Sequence, residues 1–510
     1  MHPSAAPRHR AFAFAITALV AGCTTVGPNY TAPPAPHEAR YTREALPAAT
    51  VAAPGPLGGA QRYATVASAA PDWWRAFGSK RLDALIDDAL LHNPTLEAAQ
   101  ATLRQARETY NAQAGSTLYP TVTGKLGASR NEINAAGNGQ SHGGQTIYSL
   151  YNANVGVSYN VDLFGANRRA LEALAAQADY QGFQLEAARL ALAGNIATTA
   201  FGQAGLVAQR EATASILAAE ELQLAIAQKR FELGAASRGD VLALQTEAEQ
   251  TRAQLPALDT RIEQADHLLA TLTGREPSAG DVPRFRLDEF ELPDTLPVVV
   301  PSDLVRQRPD IRASAALLHV ATAQYGVAVA NLYPQINLSA MLGTQALTAG
   351  ALFGPGSAVW GLAGQLAQPL FNAGLKSAAD AAHAGLQAAG ANYRETVLSA
   401  LRNVADALRA LDADAKVLAA EVAADTAAGG SLALTRDQYE LGGASYLALL
   451  VAQQQVQRAR IAVIATQAQR LADSASLFQA VGGNVAMPAT REKSATREKT
   501  ATREKTATTE

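Results

Sequence analysis

The sequence predicts a mixed α and membrane-β fold in which four β-strands per chain stand above long coiled α-helices, laid out as two internal structural repeats. Three observations carry this. Two very long stretches rich in alanine run without proline, short segments of two-residue period precede each of them, and the same motifs return about 210 residues later. Asn93-Pro94 returns as Arg308-Pro309, Tyr119-Pro120 as Tyr333-Pro334 and Leu163-Phe164 as Leu370-Phe371. Phe231-Glu232-Leu233-Gly234 with Ser237 returns as Tyr439-Glu440-Leu441-Gly442 with Ser445. Offsets of 215, 214, 207 and 208 mark the two halves as equivalent units of one duplicated plan.

At the amino terminus, Arg8 and Arg10 precede an apolar run from Ala11 to Ala21 that ends in Gly22-Cys23. This run is too short for a bilayer core that needs about 20 helical residues, so residues 1–22 are expected to be a secretory signal peptide. Leu19-Val20-Ala21-Gly22-Cys23 resembles a bacterial lipobox. That resemblance implies cleavage before Cys23 and acylation of Cys23 with a diacylglycerol and an N-acyl lipid, a lipoprotein signal in residues 1–22. Several acyl chains, at about 0.8 kcal/mol per buried methylene, hold a protein stably on a membrane. Thr24, where an aspartate would signal retention, implies delivery to the outer membrane.

Residues 23–72 are expected to be a lipid-anchored tether, because Thr31 to Pro56 is rich in proline and alanine. The first repeat spans 73–276 and the second 302–483, with a proline-rich linker at 277–301 marked by Pro277, Pro283, Pro293, Pro297 and Pro301. In the first repeat, Val155, Val157, Tyr159, Val161 and Leu163 alternate with Asn154, Gly156, Ser158, Asn160 and Asp162, the period of a strand with unlike faces. Weaker alternation at Val122 to Ala128 completes a hairpin at about 121–163. Ile336 to Leu342 and Trp360 to Leu366 predict a second at about 335–370, every strand about ten residues long, the span of a tilted membrane strand. The glycine-rich stretches Gly137 to Gly144 and Gly350 to Gly356 are expected to be outward-facing loops.

Behind each hairpin comes a rod. Asn167 to Leu233 holds no proline, and as a helix it would extend about 100 Å. Glu172, Asp179, Glu186 and Arg189 along it argue against a path through lipid, and its alanines and leucines favour close coiled packing. The second rod runs from about Leu375 to Leu441, with a bend expected at Gly429-Gly430. Each turns at a glycine, Gly234 or Gly442, into a returning helix, Asp240 to Leu272 with a kink expected at Pro256, and Leu447 to Ala480. Residues 484–510, which repeat Ala-Thr-Arg-Glu-Lys, have no apolar face to bury and are expected to be a disordered charged tail.

Four strands cannot close a barrel, and open edges in lipid leave amides unpaired at several kcal/mol each. The chain must therefore share its barrel with copies of itself. Composition excludes other classes. Lys+Arg 42 against Asp+Glu 45 gives no overall attraction for nucleic acid. A single cysteine excludes an internal disulfide or a cysteine metal cluster, 3 Met and 8 scattered His argue against a metal site, and no cofactor is expected. The absence of HExxH, Walker or nucleophile-elbow motifs speaks against an enzyme.

The start Gly-Cys-Thr-Thr-Val-Gly-Pro-Asn-Tyr at 22–30, Asp72-Trp73-Trp74-Arg75-Ala76-Phe77-Gly78, the Asn93-Pro94 helix start and the two tip motifs together resemble the TolC-type outer-membrane efflux channels, lipoprotein branch, typified by OprM and NodT. The resemblance covers about Cys23 to Gly483. It implies a homotrimer in the cell outer membrane, with a shared twelve-stranded barrel above a long coiled α-helical periplasmic tunnel. The tunnel is closed at its lower end until a periplasmic adaptor, a membrane fusion protein, docks. Drugs or other toxic small molecules then pass passively outward from an inner-membrane RND-type pump. It also implies that the tip turns at Gly234, Ser237, Gly442 and Ser445 dock the adaptor, and that Asp240 and Tyr439 match positions forming inter-helix bonds at the constriction. Ala448 and Val451 stand where the best-known members carry acidic residues, so no second acidic ring is implied. Arg238, Arg436 and Asp437 join the gate candidates by residue type and position. The alternatives are a conduit for protein secretion, which shares the fold, and a lipid-anchored coiled-coil scaffold or adhesin without a pore.

Overall fold

The computed structural model describes residues 25–483 apart from 37, 39 and 134–145. The signal segment, Cys23, the loop at Gly137 to Gly144 and the tail from 484 lie outside the described residues.

The first half gives strand β1 (Arg62–Val66), helices α1 (Lys80–His92) and α2 (Pro94–Thr117), strands β2 (Thr121–Ile133) and β3 (Thr146–Val161), the long helix α3 (Ala166–Glu232) and helix α4 (Arg238–Leu272). The second half runs in the same order: β4 (Thr295–Val299), α5 (Pro301–Gln307), α6 (Pro309–Ala330), β5 (Gln335–Ala346), β6 (Ala358–Ala367), α7 (Ala373–Glu440) and α8 (Tyr446–Ala480). The rods α3 and α7 have 67 and 68 residues, and both returning helices have 35. Asp162, at the end of β3, opens the first rod. Its Oδ1 accepts from Asn167 N at 3.0 Å and its Oδ2 from Arg168 N at 2.9 Å, satisfying two of the helix's free amides. The rods are uninterrupted. Gly429 and Gly430, where a bend was expected, lie within α7, and α4 continues through the exposed Pro256, where water can reach the carbonyl that loses its helical donor. Among the described residues, α3, α6 and α7 hold windows long and apolar enough to cross a membrane by length and composition. Rods of about 100 Å, however, exceed a hydrocarbon core of about 30 Å threefold.

Two compact units divide the chain, one of residues up to Pro33, Thr102–Gly182 and Ala313–Arg394, the other of Pro34–Ala101, Phe183–Arg312 and Glu395 onward. Each unit draws on both halves of the sequence. The first unit contains a four-stranded antiparallel sheet in the order β2-β3-β5-β6, so both expected hairpins join one sheet. Its strands have 13, 16, 12 and 10 residues. The first two exceed the expected ten because ladder hydrogen bonds continue past the alternating stretch, to the pair Ile133↔Thr146. Between β5 and β6, the expected loop at Gly350 to Gly356 opens on a 3-10 turn, Ala349–Ala351.

The second unit corrects the reading of 23–72 as a tether and of 277–301 as an irregular linker. Each supplies a strand, and β1 and β4 pair in parallel, Arg62↔Thr295 through Val66↔Val299. Leu296 and Val299 are buried with Leu304, Val404, Leu408, Leu411 and Leu477, and Tyr41 packs on that cluster and donates to the Val299 carbonyl. Arg470, itself buried, ties the earlier segment to α8 by donating to Leu57 O (2.9 Å), Gly59 O (2.7 Å) and Thr50 Oγ1 (3.1 Å). β4 shows no alternation of its own because it is buried on both sides of its short run. The paired tryptophans are core: Trp73 stacks on Phe478 at 5.5 Å, and Phe77 meets Phe201 at 4.8 Å.

The two X-Pro helix starts do the same work in the second unit. Asn93 accepts from Thr95 N and Leu96 N and donates to Leu272 O, the last carbonyl of α4, at 2.8 Å. Arg308 donates to Ala480 O, the last carbonyl of α8, at 2.7 Å. Each side chain ahead of the proline thus caps the returning helix of its own half, satisfying a carbonyl with no partner inside that helix.

Candidate functional site

The register of the sheet separates its chemistry by face. Partners across the ladder share a face, and three rows, Gly124-Val155-Leu342-Trp360, Val122-Val157-Ala340-Leu362 and Val161-Ile336-Leu366, carry the large apolar side chains. Leu126, Leu342, Trp360, Leu362 and Leu366 are more than half exposed within the chain. The opposite face reads Thr121-Ser158-Ser339-Ala363, Asn160-Asn337-Gln365 and Lys125-Asn154-Gly343-Val359. One face therefore suits hydrocarbon and the other water. The outer strands β2 and β6 each have one unpaired edge within the chain.

The segment that follows Cys23 is fastened in the same unit. Val26 N donates to Phe164 O at 3.1 Å, beside the turn from β3 into α3. Arg169, its side chain 4% exposed, donates to Asn29 Oδ1 and Glu172 Oε2, both at 2.6 Å, and more weakly to the Val26 and Gly27 carbonyls. Glu172 Oε1 lies 2.8 Å from His319 Nε2, and the His319 ring stacks on Tyr30 at 4.3 Å and 15°. Burial pushes the Glu172 carboxyl up, but hydrogen bonds from Arg169 and His319 outweigh it and hold the group below the ordinary carboxylate value. The motif at 22–30 thus has a physical reason in Val26, Asn29 and Tyr30. Arg169→Ala leaves Glu172 and Asn29 without their donor and is expected to cost about 2–3 kcal/mol locally. Hydrogen exchange at 26–30 should then rise while exchange at the hairpin tips stays as in the wild type. A rise spread evenly over both units would remove this private role.

The hairpin tips belong to the second unit, and both are built alike. In the first, Ala235 N donates to Arg230 O (2.7 Å) and Gly234 N to Phe231 O (2.9 Å), with Gly234 at φ +76°. In the second, Gly443 N donates to Gln438 O (2.7 Å) and Gly442 N to Tyr439 O (3.1 Å), with Gly442 at φ +79°. Each is a helix C-cap whose left-handed residue favours glycine. Ser237 and Ser445 then open the returning helices, accepting from Asp240 N and Ala448 N. Asp240 completes a capping box by accepting from Ser237 N (3.1 Å) and Oγ (2.8 Å), and Ala448 has no carboxylate to do the same.

Within the chain, then, Asp240 is engaged in its own cap. Tyr439 makes inter-helix contacts instead: Arg230 of α3 donates to its hydroxyl at 3.4 Å and lies 5.8 Å over its ring, and Tyr446 of α8 meets it edge-on at 5.9 Å. Arg436 pairs with Glu440 at 3.3 Å on an exposed face, an arrangement worth little. Among the described residues, Arg238 and Asp437 have no ion-pair partner. Sequence reasoning missed Arg230 and Tyr446. The signal available was the pair of tyrosines flanking the second turn. It also missed a buried polar layer behind the tips, where Gln454 of α8 donates to Glu247 of α4 (2.9 Å) and Glu220 of α3 is 5% exposed. Burial raises the Glu220 carboxyl, opposed by a hydrogen bond from Thr251 and reinforced by Glu247. The Tyr446 hydroxyl is likewise raised, by burial first and then by Tyr439 and the carboxylates of Asp240, Glu247 and Glu220. At the turns themselves Leu233, Leu441 and Leu447 are exposed. Among the described residues, no group of His, Cys, Asp and Glu is arranged to hold a metal ion.

Comparison with known proteins gives a consistent picture. A family profile described as outer membrane efflux protein matches residues 85–275 and 300–483. The antibiotic efflux pump outer membrane protein ArpC of Pseudomonas putida is 30% identical over 475 residues, 92% of this chain and 94% of that protein. The pyoverdine export outer membrane protein OpmQ of Pseudomonas aeruginosa is 30% identical over 420 residues, 81% of this chain and 87% of that protein. The solved structure of the outer-membrane channel OprN superposes with a TM-score of 0.81 at 26% identity, covering 90% of this chain and 99% of that one.

Proposed function

Because the chain belongs to the outer membrane efflux protein family, we propose that it is the outer-membrane channel of a tripartite efflux system. In this reading three copies close their sheets into one twelve-stranded barrel, and their rods form a tunnel in the periplasm. The observation that carries it is the four-stranded sheet with one apolar face, one polar face and two open edges. In lipid such edges cost several kcal/mol per unpaired amide, and neighbouring copies remove that cost. The polar face then lines the passage. Its Asn, Gln and Ser side chains, interspersed with glycine, bind solutes weakly, so that cargo enters and leaves without any covalent bond being made or broken.

Acylation of Cys23 would anchor the chain, and the strap at 26–30 would hold that end at the foot of the barrel. The exposed leucines of the tip turns offer apolar contacts for a periplasmic adaptor, which would connect the tunnel to an inner-membrane pump of the RND type. Cargo would be small organic molecules, the chemical class of the antibiotics and the pyoverdine named for the two relatives.

Tyr439 is the gate residue this geometry supports best, with Asp240 beside it as support for the turn. Removing the bonds of both, Asp240→Ala with Tyr439→Phe, loosens two contacts worth about 0.5–1.5 kcal/mol each and should raise the open fraction by about fivefold to a hundredfold. Single-channel conductance of the purified lipoprotein in planar bilayers measures this; an unchanged trace would remove these residues from the gate. Heat-modifiable trimers that conduct separate the channel from a coiled-coil scaffold. A deletion strain sensitised to small toxic compounds separates it from a protein-secretion conduit.

A further inference from the structure

Lys125 stands out on the water-suited face of the sheet. Between residues 118 and 161 and between 331 and 375 the charged side chains are Lys125, Arg130 and Glu132 alone. Arg130 and Glu132 lie at even positions of β2, on the face of Val122 and Leu126, where their charges offset one another. Lys125 lies at an odd position with Thr121 and Thr123. Across the ladder it faces Asn154, then Gly343 and Val359, so no carboxylate shares its row. It is exposed, and among the described residues it has no ion-pair partner. β2 is an edge strand, so its other neighbour in a closed barrel would be β6 of a second copy, a strand without a single charge. Joining copies therefore does not neutralise it.

We propose that Lys125 is a specificity-determining residue, forming a ring of ammonium groups inside the β-barrel that favours organic anions over cations of similar size. The inference rests on the pore reading above and names the charge class of the cargo. An uncompensated charge beside a low-dielectric wall raises the local concentration of counter-ions within a Debye length, about 10 Å at 0.1 M salt and about 30 Å at 0.01 M. Anionic solutes would thus collect along the wall, while the neutral Asn and Ser around Lys125 let them go again.

Reversal potentials of the reconstituted lipoprotein across a potassium chloride gradient test this. At low salt, Lys125→Gln should lower the chloride-to-potassium permeability ratio by about twofold and Lys125→Glu by more, Lys125→Arg should leave it unchanged, and the differences should fade near 1 M salt. A second readout does not depend on the lower gate. In Asn154→Cys, whose new thiol faces position 125, an anionic thiosulfonate reagent added from outside should react faster relative to a cationic one when Lys125 is present than in the Lys125→Gln background. Unchanged permeability and labelling ratios in channels that conduct would overturn the role of Lys125 and leave the pore standing. Trimers that neither conduct nor label would overturn both.

Discussion

Val157→Arg is expected to keep the protein out of the outer membrane, whereas Ser158→Arg, one residue away on the same strand, should be tolerated. Val157 lies in the apolar row with Val122, Ala340 and Leu362, a row that crosses β5 and β6 at their centres, and Ser158 lies in the polar row with Thr121 and Ser339. An arginine facing lipid near the bilayer midplane costs about 2–4 kcal/mol, and three copies in one barrel would carry it three times. The same side chain on the polar face meets water and costs little. Because both variants place the same side chain at adjacent positions of one strand, a difference larger than the span of β-propensity, about 1 kcal/mol, reports which face meets lipid. Quantifying heat-resistant oligomers in purified outer membranes decides the matter. Equal loss, or equal survival, of the two variants would deny the sheet a lipid-facing side and with it the shared barrel.

The basis for that contrast was visible in the amino-acid sequence before any coordinates. Val155, Val157, Tyr159 and Val161 alternate with polar residues so regularly that a two-residue period is the natural reading, and β3 forms there. The rods were legible because 67 residues without proline leave a helix little to compete with. What stayed hidden depends on partners far away in the chain. β1 and β4 have five residues each, and the ladder between them spans more than 200 positions of sequence, so no local pattern announces either. At the tips, the glycine turns and serine caps follow local rules and could be named residue by residue. The partner of Tyr439 could not, because Arg230 belongs to the other hairpin and sequence spacing gives no sign of how two hairpins lie side by side. Asp240 shows the opposite limit. Its motif pointed towards a gate, yet the nearest donors are the amide and hydroxyl of Ser237 three residues away, and a capping box forms first.

A half-buried carboxyl pair in the second unit gives the protein an expected pH dependence of its own. Asp414 of α7 faces Asp473 of α8. Burial, then the hydrogen bond and charge shared with Asp473, outweigh the nearby Arg470 and push the Asp414 carboxyl up to about 7. Around them, Gln469 donates to Asp473 (2.9 Å), and Asp412 is already paired with Lys416 (2.7 Å), so neither supplies Asp414 with a spare cation. The folded protein therefore keeps this proton up to about pH 7, while the unfolded chain releases it near the ordinary value of 3.8. The stabilising contribution is complete below about pH 4 and is lost as pH rises through 7. Three units at about 1.4 kcal/mol each set an upper bound, and partial exposure of the pair reduces the effect to about 2 kcal/mol. The melting temperature of the purified protein should accordingly fall by about 1–2 °C between pH 5 and pH 8 from this pair alone. Asp414→Asn, which keeps a hydrogen bond to Asp473 without a second negative charge, should flatten that slope and melt higher than the wild type at pH 8. Parallel slopes for the two proteins would mean that the carboxyls do not share a proton, and the pH response would have to be sought elsewhere in the fold.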